Sequence, residues 1–222
     1  MNYFAPVPDE RNTPIDRSVH SFVFGRKWFQ HRNQKTWSTF FPKMLDCSKP
    51  VHMIQIGVFE GMDLVWCLQN VLTHPDSRAL AIDPWLGDSR PRKQFINGAD
   101  VRAANNLSPW KDKVLIVRDF SDSFLRGLGS DGVVINKRGI VAEQWDLVVI
   151  DGDHRAPAVL KDAHHAYRLL RVGGYMVFDD VRNRIPKKDH VQAGIDQFRQ
   201  QMGSRVTTIW QHRYCDCLQK HQ

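Results

Sequence analysis

The sequence predicts a doubly wound α/β domain: a mostly parallel sheet with helices on both faces, a C-terminal antiparallel hairpin and an N-terminal helical cap. Three observations predict it. Five short apolar runs, His52–Ile56, Ala79–Ile82, Val114–Val117, Leu147–Ile150 and Tyr175–Phe178, are continuous rather than alternating, as strands buried on both faces are. Segments of helical period separate them, so strand and helix take turns along the chain. The 222 residues suffice for one buried core and are too few for two catalytic domains with a linker.

Each element has its own warrant. Residues 1–49 form the cap: three prolines fall by Pro14, and Phe24, Trp28, His31, Trp37, Phe40 and Phe41 then recur at helical spacing, giving one or two amphipathic helices. Residues 50–222 form the core of the same single domain. After the first run a helix opens at Gly61 and reaches about Thr73, with Leu64, Cys67, Leu68 and Val71 on its inner face. Between the fourth and fifth runs, Ala158–Arg171 places Val159, Ala163, Ala166 and Leu170 on one face, and Gly173-Gly174 stops it. Residues 127–144 are glycine-rich, with a small hairpin around Val133–Ile135. A helix over Val191–Met202 and an antiparallel pair, Val206–Trp210 with Tyr214–Leu218, close the chain.

Composition narrows the function classes. Hydrophobic residues at 42% and charged residues at 25% exclude a disordered, collagen-like or coiled-coil chain. Lys and Arg outnumber Asp and Glu by 31 to 24, a net charge of +7 that suits a nucleic acid, an anionic substrate or simply a basic surface. Cys47, Cys67, Cys215 and Cys217 lack the paired C-x-x-C spacing of a zinc site and read as reduced thiols. Without a long apolar run or a leader-like start, the expectation is a soluble, cytoplasmic protein with no membrane partner.

The chemistry lies at the strand ends. Gly57-Val58-Phe59-Glu60-Gly61 is a glycine-bearing strand-to-helix turn that lets backbone approach a ligand, and it lacks the full G-x-G-x-x-G of a nicotinamide or flavin site. Asp83 ends the second strand, where a carboxylate accepts hydrogen bonds from both hydroxyls of a ribose. Trp85, Asp119 and Ser121 lie at neighbouring strand ends, suited to stacking on or hydrogen-bonding an adenine; for Trp85 ordinary packing under a loop is an equal reading. Asp151-Gly152-Asp153-His154 follows the fourth strand and Asp179-Asp180 the fifth. In a parallel sheet both segments emerge at one edge, with strands about 5 Å apart, so the carboxylates converge. Such crowding calls for a hard divalent cation, Mg²⁺ first, Ca²⁺ or Mn²⁺ otherwise, or for raised carboxyl pKa values.

Taken together, Ile54–Gly61, Ile82-Asp83-Pro84-Trp85, Val149–His154 and the stretch from Leu169 to Asp180 resemble the class I S-adenosylmethionine-dependent methyltransferases, whose core is a Rossmann-like sheet. More narrowly, they are similar to the metal-dependent O-methyltransferases of small molecules and sugars, on the plan of catechol O-methyltransferase. The resemblance covers about residues 50–222. It implies that Gln55, Gly57, Glu60, Gly61, Asp83 and Asp151 contribute to binding S-adenosylmethionine, with the two glycines against its methionine part. It implies Asp151, Asp179 and Asp180 as ligands of a divalent cation, and Asp153 or His154 as general base. Gln55 stands where relatives carry an acid, removing a charge beside a cationic cofactor, and Asp63 offers a compensating one. The implied reaction is methylation of a small-molecule hydroxyl, on a sugar or a phenol, with the cation lowering the hydroxyl pKa. Two rivals remain. One is RNA methylation with the same cofactor, through Arg26, Lys27, Arg32, Lys35, Arg90, Arg92 and Lys93 interleaved with Trp28, Phe29 and Trp37. The other is a cofactor-binding protein without catalysis. Nucleic acid is the less favoured partner, and a homodimer is compatible with the sequence.

Overall fold

The computed structural model describes residues 15–18, 20–86, 97–128, 145–181 and 190–222. The predicted hairpin around Val133–Ile135 and the basic residues Arg90, Arg92, Lys93, Arg182, Arg184, Lys187 and Lys188 lie outside them. In chain order the elements are α1 (Trp28–Arg32), α2 (Gln34–Met44), β1 (His52–Ile56), α3 (Met62–Asn70), β2 (Arg78–Ile82), α4 (Ala99–Leu107), β3 (Val114–Val117), α5 (Ser121–Gly127), β4 (Trp145–Ile150), α6 (Ala156–Leu169), β5 (Leu170–Phe178), α7 (Val191–Met202), β6 (Val206–Gln211) and β7 (Asp216–Lys220). One seven-stranded sheet runs β3-β2-β1-β4-β5-β7-β6. The first five strands are parallel and β7 is antiparallel to both its neighbours. This is the doubly wound, Rossmann-like architecture expected, with its switch point between β1 and β4.

Strand side chains alternate between the two faces, and each face has its own apolar layer. Met53, Ala81, Leu147, Val149 and Val177 face α2, α3 and α4, together with Trp37, Phe41, Leu64 and Trp66. Ile54, Ile56, Leu80, Val148, Ile150 and Phe178 face α6 and α7, with Val159, Ala163, Ile195 and Phe198. Burial on both sides explains why the strands read as unbroken apolar runs. The cap is welded to the first layer by rings: Phe29 meets Trp37 edge-on at 4.9 Å between centroids, and Trp37 stacks on Phe41 at 4.8 Å. No helix among the described residues is long and apolar enough to cross a membrane.

Several boundaries differ from the sequence reading, and three of them have a visible cause. The βαβ helix ends at Leu169, and Gly173-Gly174 lie inside β5 rather than ending the helix. Leu170 extends the helical stripe on paper, but its buried side chain belongs to the strand, paired with Trp145. Helix α3 stops at Asn70, short of Thr73, because the amides of Val71 and Leu72 both return to the Cys67 carbonyl. The last strand begins at Asp216 rather than Tyr214, since the His212 amide closes the intervening turn on the Cys215 carbonyl at 2.9 Å.

Candidate active site

Backbone bonds align the carboxyl ends of the five parallel strands. The Gly57 amide donates to Ile82 O at 2.9 Å, Asp151 to Ile56 O at 2.8 Å, Asp179 to Ile150 O at 3.0 Å and Asp83 to Val117 O at 3.1 Å. The turns after β1 and β4 approach so closely that a Cβ on Gly57, at φ +81°, would fall 2.1 Å from the Asp151 carbonyl oxygen. Only glycine fits there. Among the described residues the non-glycine positions with positive φ are Phe59 (51°), Trp85 (49°) and Asp180 (54°), and all three lie just past strand ends at this same edge. Strain of this kind persists where the surrounding structure enforces it.

A cleft of about 590 Å³ opens at the switch point, lined among others by Gly57, Asp83, Phe120, Ser121, Gly152 and Asp162. Asp83 builds one wall and also shapes the glycine turn. Its Oδ2 accepts the amides of Val58 and Phe59 at 2.8 and 2.9 Å, and its Oδ1 accepts that of Trp85 at 2.6 Å. Three of about four carboxylate lone-pair positions are thereby filled. Trp85 is set back from the cleft: its ring is buried and its Nε1 donates to the Phe59 carbonyl at 2.8 Å. Of the segment after β3, Ser121 lines the cleft beside the exposed ring of Phe120, whereas Asp119 accepts the Phe120 amide at 2.7 Å outside the lining.

The other residues of the glycine turn have structural partners. Gln55 is fully buried under the turn; its Nε2 donates to Gly57 O at 2.9 Å and to Asp63 Oδ2 at 2.7 Å, and its Oε1 has no partner among the described residues. The compensating acid is thus in contact with Gln55, and burial pushes its carboxyl up to about 6. Glu60 turns away from the cleft. Its Oε2 accepts the amides of Gly25 and Arg26 at 2.7 and 3.3 Å, and its Oε1 accepts Arg102 Nε at 2.6 Å. Gly61 begins α3 in the left-handed conformation.

At the mouth of the site the second group of acids meets the cap. Asp151, His154 and Asp180 present ligand atoms within 4.8 Å of one another. His154 Nε2 lies 3.3 Å from Asp151 Oδ1 and 3.5 Å from Asp180 Oδ2. Asp179 is not in that trio: its Oδ1 accepts Asn33 Nδ2 at 2.6 Å and the Asp180 amide at 2.6 Å. Arg32 Nη1 donates to Asp180 Oδ1 at 2.6 Å. Asp153 leans outward, its carboxylate bridged by the Arg155 guanidinium. Burial, then repulsion from Asp180, Asp63 and Asp83, drives the Asp151 carboxyl well above the usual range, and Arg32 opposes this. Asp179 is raised by burial and by Asp151 and Asp180, with the Asn33 hydrogen bond opposing.

Sequence reasoning missed Asn33 and Asp162, named Phe120 only as part of the segment from Asp119 to Ser121, and counted Arg32 only among the basic residues of the RNA reading. Asp162 had a readable signal, a carboxylate inside the inward stripe of α6. Arg32 and Asn33 had none, because they reach the site from 148 and 146 residues away.

With this geometry the class follows. Residues 54–181, which run from within β1 to just past β5 and include both acidic turns, match the family described as "Methyltransferase domain". The chain belongs to that family, and it is a class I S-adenosylmethionine-dependent methyltransferase. Solved structures of the same fold include the O-methyltransferase TomG of Streptomyces achromogenes, involved in tomaymycin synthesis and bound to SAM (TM-score 0.53, 19% identity, covering 77% of this chain and 73% of that one). Another is a Bacillus cereus O-methyltransferase in complex with SAH (TM-score 0.53, 16% identity, 76% and 74% covered). A third is a SAM-dependent O-methyltransferase of Thermotoga maritima (TM-score 0.53, 15% identity, 94% and 71% covered). No curated protein matches the sequence.

Proposed function

We propose that the protein transfers the methyl group of S-adenosylmethionine to a hydroxyl of a small molecule, a phenol or a sugar, at the mouth formed by Asp151, His154 and Asp180. The observation that carries this reading is the trio itself, a histidine held between two carboxylates beside a cleft of nucleoside size. The donor carbon is already activated as a sulfonium, so the protein's task is alignment and deprotonation. The acceptor oxygen forms its bond to carbon as the carbon–sulfur bond breaks, the sulfonium becomes a neutral thioether, and the hydroxyl proton passes to His154. Asp153 is the poorer base, since Arg155 occupies its carboxylate. The acids at this edge, Asp63, Asp83, Asp151, Asp179 and Asp180, suit a cofactor that carries positive charge at sulfur and ammonium.

The donor set fits a divalent cation. Asp151 and Asp180 would hold it, leaving the His154 imidazole to take the proton, while Asp179 stays tied to Asn33. When bound, such an ion supplies Lewis-acid lowering of the hydroxyl pKa.

Isotopically labelled S-adenosylmethionine offered with panels of phenols, sugars and transcribed RNA, in Mg²⁺ and in EDTA, tests the reading. Label in a hydroxyl acceptor, lost on His154→Ala, is the expected result. Label in RNA alone overturns the small-molecule acceptor, and full activity in EDTA removes the cation.

A further inference from the structure

The turn between β6 and β7 takes no part in the chemistry above, yet it borders the mouth. Its tip, Arg213 and Tyr214, is fixed twice. The His212 amide closes the turn on the Cys215 carbonyl at 2.9 Å, and the Tyr214 carbonyl accepts the amide of Val181, the residue after Asp180, at 3.1 Å. The cap grips the same hairpin. Arg32, Thr36 and Phe40, every fourth residue, meet Tyr214, His212 and Trp210, every second residue. The Arg32 guanidinium lies 5.7 Å from the Tyr214 ring centroid, Thr36 Oγ1 lies 3.3 Å from His212 Nδ1, and Phe40 stacks on Trp210 at 4.6 Å.

Two cations therefore converge on one ring. Arg213 is exposed, its guanidinium lies 5.3 Å from the Tyr214 centroid, and it makes no ion pair or hydrogen bond among the described residues. Arg32 uses one N–H on Asp180 Oδ1 and keeps its others free among the described residues. Like charges gathered in this way repel unless an anion joins them. The place of Arg32 says where that anion would be. Asp180 has Arg32 on Oδ1 and His154 Nε2 3.5 Å from Oδ2, so the guanidinium and the imidazole stand at the two oxygens of one carboxylate. A hydroxyl delivered to His154 brings the substituents next to it on the same ring toward Arg32 and Arg213. Guanidinium groups pair with a planar carboxylate through parallel N–H donors.

We propose that Arg213 and Arg32 form an anion subsite for the methyl acceptor, so that the acceptor is a hydroxy acid, a ring carrying a carboxylate near the hydroxyl that is methylated. The proposal rests on the Asp151, His154 and Asp180 trio being the site of methyl transfer. Tyr214 is a positioning residue, whose ring holds both guanidinium groups beside the mouth. The acids of the site then face the cationic cofactor while the turn and the cap face the acceptor's negative charge. Sites built to pair a polar group reject the analogue lacking it far more strongly than apolar pockets reject a shape change.

The test is calorimetric titration of the whole protein, with S-adenosylhomocysteine present, using the three isomers of hydroxybenzoate and the matching hydroxybenzamides, which keep the shape and lose the charge. The wild type is expected to favour at least one acid over its amide by about tenfold or more. Arg213→Gln should bring that ratio close to one. Tyr214→Leu should lower it and Tyr214→Phe, which keeps the ring, should restore it. Lys111→Gln, which removes an exposed cation before β3 at the opposite edge of the sheet, should leave it unchanged, and circular dichroism checks that each variant folds. Equal affinities for acid and amide in the wild type, binding of neither, a ratio that survives Arg213→Gln, or one that falls equally in Lys111→Gln overturns the proposal. Labelled S-adenosylmethionine separates the two readings: a preferred acid that never takes label leaves the anion subsite standing and overturns the trio as the site of methyl transfer.

Discussion

Arg32 Nη1 stands 2.6 Å from Asp180 Oδ1, across 148 residues of sequence, with side chains 29% and 12% exposed. The cap therefore places a fixed cation on the acidic mouth. A divalent ion on Asp180 meets a guanidinium already using one of its oxygens. Arg32→Gln is expected to tighten Mn²⁺ binding by about tenfold, since a close charge contact near the surface is worth a few kcal/mol and each ~1.4 kcal/mol is a factor of ten. Electron paramagnetic resonance of free Mn²⁺ measures it. Unchanged binding means that Asp180 holds no ion.

Asp83 should be as much a structural residue as a cofactor ligand. Asp83→Asn puts an amide donor against one or two of the backbone amides of Val58, Phe59 and Trp85 that the carboxylate now accepts. Leaving buried donors unpaired costs about 1–3 kcal/mol each. The expected outcome is a lower melting temperature in the ligand-free protein and weaker S-adenosylhomocysteine binding. Binding lost with the melting temperature unmoved would assign Asp83 to the ligand alone.

The Asp162 carboxyl, pushed by burial from an ordinary 3.8 up to about 7, makes stability depend on pH. Asp122 and Asp153 add repulsion, while the Ser121 hydrogen bond and Lys161 oppose the rise. The folded chain holds this proton more tightly than the unfolded one. Its contribution is therefore complete below about pH 4 and is lost as pH climbs through 7. Asp162→Asn removes the buried charge, so its melting temperature relative to wild type should rise between pH 5 and pH 8. The span corresponds to roughly 2–4 kcal/mol at about 1.4 kcal/mol per pH unit between the two values. A difference constant across that range contradicts the assignment.

Glu60 is 2% exposed and holds three donors from two distant segments. Glu60→Ala strands the Arg102 guanidinium and two amides, and losing one partner of a buried pair costs about 3–5 kcal/mol. Hydrogen exchange should accelerate over residues 20–27 before it does in β1 or β4. Uniform acceleration would show that the segment is held by its rings, Phe22 on Trp110 and Trp28 on Phe59, rather than by Glu60.

What the sequence revealed and what it hid follow one physical line. Val148-Val149-Ile150 is legible as a strand because both faces of the sheet are covered, so burial leaves no alternation to misread. Asp83, Asp151 and Asp180 are legible because a strand end fixes their place before any side chain is known. The partners of those acids are a different matter. Whether Asp151 meets Asp179 or His154 depends on a backbone turn at Asp180 with φ 54°, and no periodicity encodes that. Asp162 hides for another reason: helical patterns are read from their apolar members, and a carboxylate between Val159 and Ala163 is passed over as a solvent-facing neighbour.

The strap that Glu60 makes with Gly25, Arg26 and Arg102 joins three pieces of chain, and Asn106 joins them again through the Val23 and Glu60 carbonyls at 2.9 Å each. This bears on engineering. An attempt to change acceptor preference by grafting the first 49 residues of a relative would import one third of a lock, leaving two buried polar side chains facing a backbone that no longer fits them. A workable exchange would move residues 57–63 and 98–107 with the cap, so the natural unit of recombination in this protein cuts across the boundary between substrate-facing and cofactor-facing segments.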